Sequence, residues 1–213
     1  YVDKGWLKSF DTLEALTEDV GGTPMLNKFA CIVKNKPDGS VKRRIIMDSK
    51  QSEVTAASSK QYRAVLPRAT DFITDVLTLQ ATATADESIE AFVCDAEDAF
   101  WQVPLHANEH RFYCALLRDG GSTRYLAYNR TAQGSRGAPL SWAVMFGLIC
   151  RCALATLVCP DTRGNQKMQV YVDDPILVLK GTRSERRRQV TMLMLAWAVL
   201  GISLAIHKGQ LSV

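Results

Sequence analysis

The run Val170-Tyr171-Val172-Asp173-Asp174 sets two adjacent carboxylates at the end of an apolar stretch, and Ile176-Leu177-Val178-Leu179 follows one residue later. β-Branched and aromatic residues on both sides read as a strand, a tight turn with Asp-Asp at its tip, and a returning strand. Two carboxylates so placed repel one another unless a cation lies between them. Hard oxygen donors of this kind suit Mg²⁺. A third acid with a matching context lies far upstream, where Ala91-Phe92-Val93-Cys94 ends in Asp95. The competing reading makes Asp95 a turn cap and the Asp-Asp pair solvated surface.

The elements that would position these acids follow from pattern. A helix over 11–20 closes at Gly21-Gly22, and strands over 28–34 and 43–47 flank a Pro37-Asp38-Gly39 turn. Residues 51–60 are small and polar and read as loop. The apolar spacing over 69–81 predicts a helix capped near Thr70 or Asp71. Residues 82–88 read as a linker, which divides the chain into a lobe over 1–88 and a second over 89–213. The second lobe reads as strand 89–94, a helical turn over 97–101 and a loop through His110. A hairpin about Asp119-Gly120-Gly121 and a loop over 130–137 follow. A long helix entered at Pro139 leads to the Asp-Asp hairpin, a helix over 185–200 capped by Ser184, and a strand over 202–206. That order predicts an α+β fold, an antiparallel sheet with helices packed on one face.

The 213 residues, 47% of them hydrophobic, can bury the core of one large domain or two small lobes. A net charge of +4 is compatible with nucleic acid without establishing it. Basic residues cluster at 34–44 and at 183–188, and the second cluster reads as the solvated first turn of a helix. Six cysteines at 31, 94, 114, 150, 152 and 159 include no CxxC pair, which favours reduced, buried thiols. His106 and His110 lie in a loop-like stretch and carry no metal reading. The apolar segment 139–158 contains Ser141, Gly147 and Arg151 and reads as a buried helix, with no membrane partner. Cysteines that read as reduced and a start that lacks a signal-peptide pattern make an intracellular site the expectation, with cytoplasm and nucleus both open. The missing initiating Met and the unmarked end at Leu211-Ser212-Val213 read as an excised fragment.

Four segments share an order. They are Lys36 to Asp48, with Lys42-Arg43-Arg44 at its centre; Phe92-Val93-Cys94-Asp95-Ala96-Glu97-Asp98-Ala99-Phe100; Ala132-Gln133-Gly134-Ser135-Arg136-Gly137-Ala138-Pro139; and Tyr171-Val172-Asp173-Asp174. In this order and at these spacings the chain resembles the fingers and palm of a reverse transcriptase, most like those of retroelements with long terminal repeats. The resemblance covers roughly residues 30 to 210. It implies an RNA-directed DNA polymerase that adds dNMP to a primer 3′-end on an RNA or DNA template. It also implies a fingers-like subdomain over 1–88 and a palm over 89–213, with thumb and RNase H regions beyond this stretch.

On that resemblance, Asp95, Asp173 and Asp174 are catalytic and hold two Mg²⁺ ions about 4 Å apart. Lys208 joins them as a candidate general acid near the departing pyrophosphate. Arg44 and Lys36 (or Lys34) would meet the triphosphate, the guanidinium by paired hydrogen bonds. Ala96, Gln133 and Gly134 would line the nucleotide, and Phe100 would exclude a ribose 2′-hydroxyl; a plain core aromatic is the competing reading of Phe100. Tyr171 and Arg136 fall to the template and primer. Tyr171-Val172 before the acids favours this family over viral RNA-dependent RNA polymerases, which commonly show Gly there. Pro175, in place of a larger apolar residue, removes one backbone donor from the returning strand and is tolerable on an edge. It leaves a second reading open, an inactive retroelement-derived nucleic-acid-binding remnant.

Overall fold

The structure is a computed structural model that describes all residues except 38, 60, 61, 159–163, 206–208 and 213. The elements in chain order are β1 (Leu7–Phe10), α1 (Leu13–Val20), β2 (Leu26–Asn35), β3 (Val41–Asp48), α2 (Val54–Ala57), α3 (Ala69–Gln80), β4 (Ser88–Val93), β5 (Cys114–Asp119), β6 (Ser122–Tyr128), α4 (Ala138–Ala155), β7 (Gln166–Tyr171), β8 (Asp174–Gly181), α5 (Arg183–Val199) and β9 (Gln210–Ser212). Short 3₁₀ turns cover Ala99–Gln102 and Ala107–Phe112.

Two compact units each draw on two stretches of chain: 1–62 with 100–141, and 63–99 with 142–213. This differs from a linear division at 82–88. The reason is non-local pairing: Leu26 of β2 lies parallel to Cys114 of β5, and β1 pairs with β6, so a segment far along the chain completes the first sheet.

In the first unit the strand order is β1-β6-β5-β2-β3. Its core gathers Leu7, Met47, Trp101, Leu105, Leu126 and Tyr128. Trp101 stacks between Trp6 and Tyr128, with centroids 5.3 and 5.8 Å away, an offset arrangement that large apolar rings favour.

In the second unit the order is β7-β8-β4-β9, wholly antiparallel. The α+β class with antiparallel-rich sheets therefore holds. The helices flank both faces. Gln169 of β7 donates to Asp75 of α3 at 2.7 Å, and Lys180 of β8 reaches Thr82 just past that helix. On the alternate face Arg186 of α5 donates to Glu90 of β4 at 2.9 Å, where both groups are buried and each satisfies the other's charge. This double coverage explains why β8 is buried continuously from Leu177 to Gly181.

Several local expectations shift. Residues 54–57 form a helical turn rather than loop, and Ala107–Phe112 form a 3₁₀ turn. Helix α3 begins after Arg68, with Asp71 accepting from the Arg68 amide at 2.7 Å. Helix α5 is capped by Thr182, not Ser184: Glu185 accepts from the Thr182 amide at 2.7 Å, and the Thr182 hydroxyl accepts from the Glu185 amide. That reciprocal arrangement is a capping box. Of the strand expected over 202–206, residue 206 lies outside the described residues; within 202–205 a bridge joins Leu204 to Ala96, and the added strand is β9. Helix α4 is long and apolar enough to cross a membrane by length and composition. It also buries a stripe of Trp142, Phe146, Cys150 and Ala153.

Candidate active site

The Asp-Asp hairpin is built by β7 and β8 in the register Gln169↔Ile176, Val170↔Pro175, Tyr171↔Asp174. The turn therefore consists of Val172 and Asp173 alone. Asp173 is at the tip, while Asp174 is already the first residue of the returning strand. Val172 has φ +57°. A β-branched residue there is a conformational outlier, at a cost of about 1–3 kcal/mol, of the kind that collects at functional sites. The indole N–H of Trp142 donates to the Val172 carbonyl at 2.8 Å.

Asp95 follows directly on the end of β4. The Cys94 amide donates to the Pro175 carbonyl at 3.5 Å, and the Ala96 amide donates to the Asp173 carbonyl at 2.9 Å. On its other side the Asp95 carbonyl accepts from the Ala205 amide at 2.8 Å. Asp95 is thus clamped between the hairpin and residues 203–205, one strand away from Asp173. Asp95, Asp173 and Asp174 are all partly exposed. Burial, then Asp174, then Asp95 push the Cys94 thiol up to about 12, so the field of two of the acids falls on one point beside the strand end.

Among the described residues no group of three or more His, Cys, Asp or Glu side chains gathers closely enough to hold a metal ion. The three acids are accordingly not a self-contained cage. The donor set nonetheless fits Mg²⁺, which keeps several waters and is held by one or two carboxylates together with substrate phosphates.

The remaining expected residues lie in the first unit, except for Ala96, Tyr171 and Lys208. Ala96 is buried, and it contributes its backbone to the clamp on Asp173. Tyr171 is 49% exposed beside Asp174. Lys208 lies outside the described residues. Arg44 is exposed on β3 opposite Ile32, and Lys36 sits in the β2–β3 turn, where its amide donates to the Ser40 carbonyl at 2.8 Å.

Gln133 and Gly134 attach to the same strand as Arg44. The Met47 amide donates to the Gln133 carbonyl at 2.8 Å. Gly134 has φ +97°, and a Cβ there would lie 2.1 Å from the Met47 carbonyl oxygen and 2.8 Å from Ile46. Only glycine permits that approach.

Phe100 is half-buried, and the neighbouring Trp101 is anchored in the aromatic stack. The Phe100 carbonyl accepts from the Thr131 hydroxyl at 2.5 Å. Arg136 spends two hydrogen bonds, both 2.9 Å, on the carbonyls of Thr55 and Ser58 around α2. It therefore braces that turn, a role the sequence reading missed. The sequence reading also missed Trp142 and Ser135; the Ser135 hydroxyl accepts from the Ala138 amide at 3.3 Å at the start of α4.

A family model described as reverse transcriptase (RNA-dependent DNA polymerase) matches residues 34–213. The chain belongs to that family. No curated protein matches it. The matched stretch takes in the β3 strand with Arg44, the Asp95 strand end, the Gln133-Gly134 junction and the Asp-Asp hairpin. The family's activity is nucleotidyl transfer, and it implies a template, a primer and dNTP.

Proposed function

We propose that this chain extends a primer 3′-end with deoxynucleotides on an RNA or DNA template, using Asp95 and Asp173 as the principal metal ligands. Asp174 is the third acid. One observation carries the reading: the Ala96–Asp173 hydrogen bond sets the strand end bearing Asp95 against the turn bearing Asp173. Mg²⁺ held there would supply charge neutralisation at the triphosphate and lower the pKa of the primer hydroxyl. Arg44, with Lys36, would bind the triphosphate, and Gln133 and Gly134 would contact the nucleotide. Phe100 would exclude the ribose 2′-hydroxyl, while Tyr171 would contact the primer. Arg136, which donates to the carbonyls of Thr55 and Ser58, would contact the template or primer.

The test is extension of a DNA primer on an RNA template with Mg²⁺ and dNTPs, comparing the wild-type chain with Asp173→Asn. Extension that is lost in the variant, with its fold intact by circular dichroism, supports the reading. Equal extension by both removes Asp173 from the site. Phe100→Ala tests the gate separately, since ribonucleotide incorporation should rise; unchanged selectivity removes that role.

Pro175 favours a second reading, a non-catalytic nucleic-acid-binding remnant. It is fully buried in β8, between β7 and β4, rather than on an edge. A folded chain that binds primer–template but extends nothing, with and without its native flanking sequence, would favour this reading.

A further inference from the structure

A two-residue turn can hold its central peptide in either of two orientations. Positive φ at both central residues makes type I′, and positive φ at the first alone makes type II′. Among the described non-glycine residues, only Glu53, Asp98 and Val172 have positive φ. The Tyr171–Asp174 turn therefore has the type II′ pattern, which glycine rather than valine prefers at its first central position. What distinguishes the two types is the peptide between Val172 and Asp173, whose oxygen is the Val172 carbonyl.

That oxygen is the acceptor for Trp142 at 2.8 Å. Trp142 has 0% exposure, and its ring stacks on Phe146 with centroids 4.6 Å apart. The donor is thus fixed in place, and a flip of the peptide would take the acceptor away from a buried indole N–H. The peptide on the other side of Asp173 is held as well, because its oxygen accepts from the Ala96 amide at 2.9 Å. The two peptide planes flanking a residue set its φ and ψ, and so the direction of its Cα–Cβ bond.

We propose that Trp142 is a positioning residue for the Asp173 carboxylate: its N–H holds the strained turn in one of its two forms, and that form aims the carboxylate at the metal. This rests on the reading of Asp173 as a metal ligand. Fully buried, Trp142 would act on the site through the Val172 peptide.

The test measures Mn²⁺ binding to the chain by electron paramagnetic resonance, alongside thermal unfolding. Trp142→Phe keeps a ring and deletes the donor, and it should weaken Mn²⁺ binding by about tenfold, as loss of a ligand-orienting partner does. In the Val172→Gly background the same change should cost little, because glycine holds a type II′ turn unaided. A purely structural Trp142 would lower the melting temperature and leave the Mn²⁺ dissociation constant of the folded protein unchanged. That result overturns the proposal, as does an equal loss in both backgrounds. Asp173→Asn separates the two ideas: if it leaves Mn²⁺ binding untouched, the metal reading fails whatever Trp142 does. Should Trp142→Phe not fold, Mg²⁺ titration of the wild-type chain gives the answer through the Trp142 indole N–H resonance. A shift that saturates with metal supports the proposal, and a resonance that ignores Mg²⁺ overturns it.

Discussion

The amide of Ala96 donates to the carbonyl of Asp173 at 2.9 Å, which makes the strand end at Asp95 and the turn at Asp173 one piece of backbone. A cation bound between them would be bound by the folded chain alone, because unfolding separates the two acids. Mg²⁺ at about ten times its dissociation constant should therefore stabilise the wild-type protein by roughly 1.4 kcal/mol. Thermal unfolding with and without Mg²⁺ checks this. Asp95→Asn and Asp173→Asn should each abolish the metal-dependent increment while the metal-free midpoint is held or raised.

Gly134 offers a sharper structural test. Its φ is +97°, and a methyl group added to it would fall 2.1 Å from the Met47 carbonyl oxygen. Alanine could be accommodated only by moving β3 or the 133–137 loop. Gly134→Ala should cost about 2 kcal/mol or more by urea unfolding. It should also break the register between Gln133 and the strand bearing Arg44. In primer extension the KM for dNTP should rise. A variant with unchanged stability would show that this contact is not held in solution.

The acids and the hairpin around them were legible because alternating apolar and β-branched residues announce strands, and a break in that pattern announces a turn. Asp174 was misplaced by one position. A two-residue turn closed by Tyr171 and Asp174 leaves room for Val172 and Asp173 only, and nothing in the local pattern favours valine at positive φ. The α5 cap is legible in the sequence, since Thr182 and Glu185 stand at capping-box spacing whereas Ser184 lacks an acid three residues on. What could not be read locally was sheet order. The pairing of β2 with β5, the interleaving of the two units and the central place of β8 all depend on contacts between residues distant in sequence. Pro175 therefore looked harmless on an edge and proves to be buried inside the sheet.

The cysteines give a chemical test of burial. Cys31 and Cys152 are exposed, whereas Cys114 and Cys150 are buried. Burial pushes the Cys114 and Cys150 thiols up to about 12. Alkylation proceeds through the thiolate, so at pH 8 only about one buried thiol in ten thousand is ready to react, before access is considered. Iodoacetamide at that pH, followed by peptide mass mapping, should modify Cys31 and Cys152 well ahead of Cys114 and Cys150. Comparable rates at the buried and exposed positions would mean that the cores around Cys114 and Cys150 open easily.

Pro175 allows the sheet itself to be tested. The Cys94 amide donates to the Pro175 carbonyl at 3.5 Å, and an antiparallel pair in this position normally returns a second bond from the facing amide. Proline has no N–H to return. Valine is larger than proline by about one methylene, but it favours strands and restores the donor. Pro175→Val should therefore stabilise the chain by about 1 kcal/mol, and the new amide should be protected from hydrogen exchange. A fall in the urea midpoint would mean that the buried space between β7 and β4 fits only the proline ring. The same variant bears on function, because the restored bond would lie beside Asp95. If extension is weak in the wild-type chain and rises in Pro175→Val while Asp173→Asn stays inactive, the proline is a lesion in a working site. If stability rises and extension remains absent, the remnant reading gains.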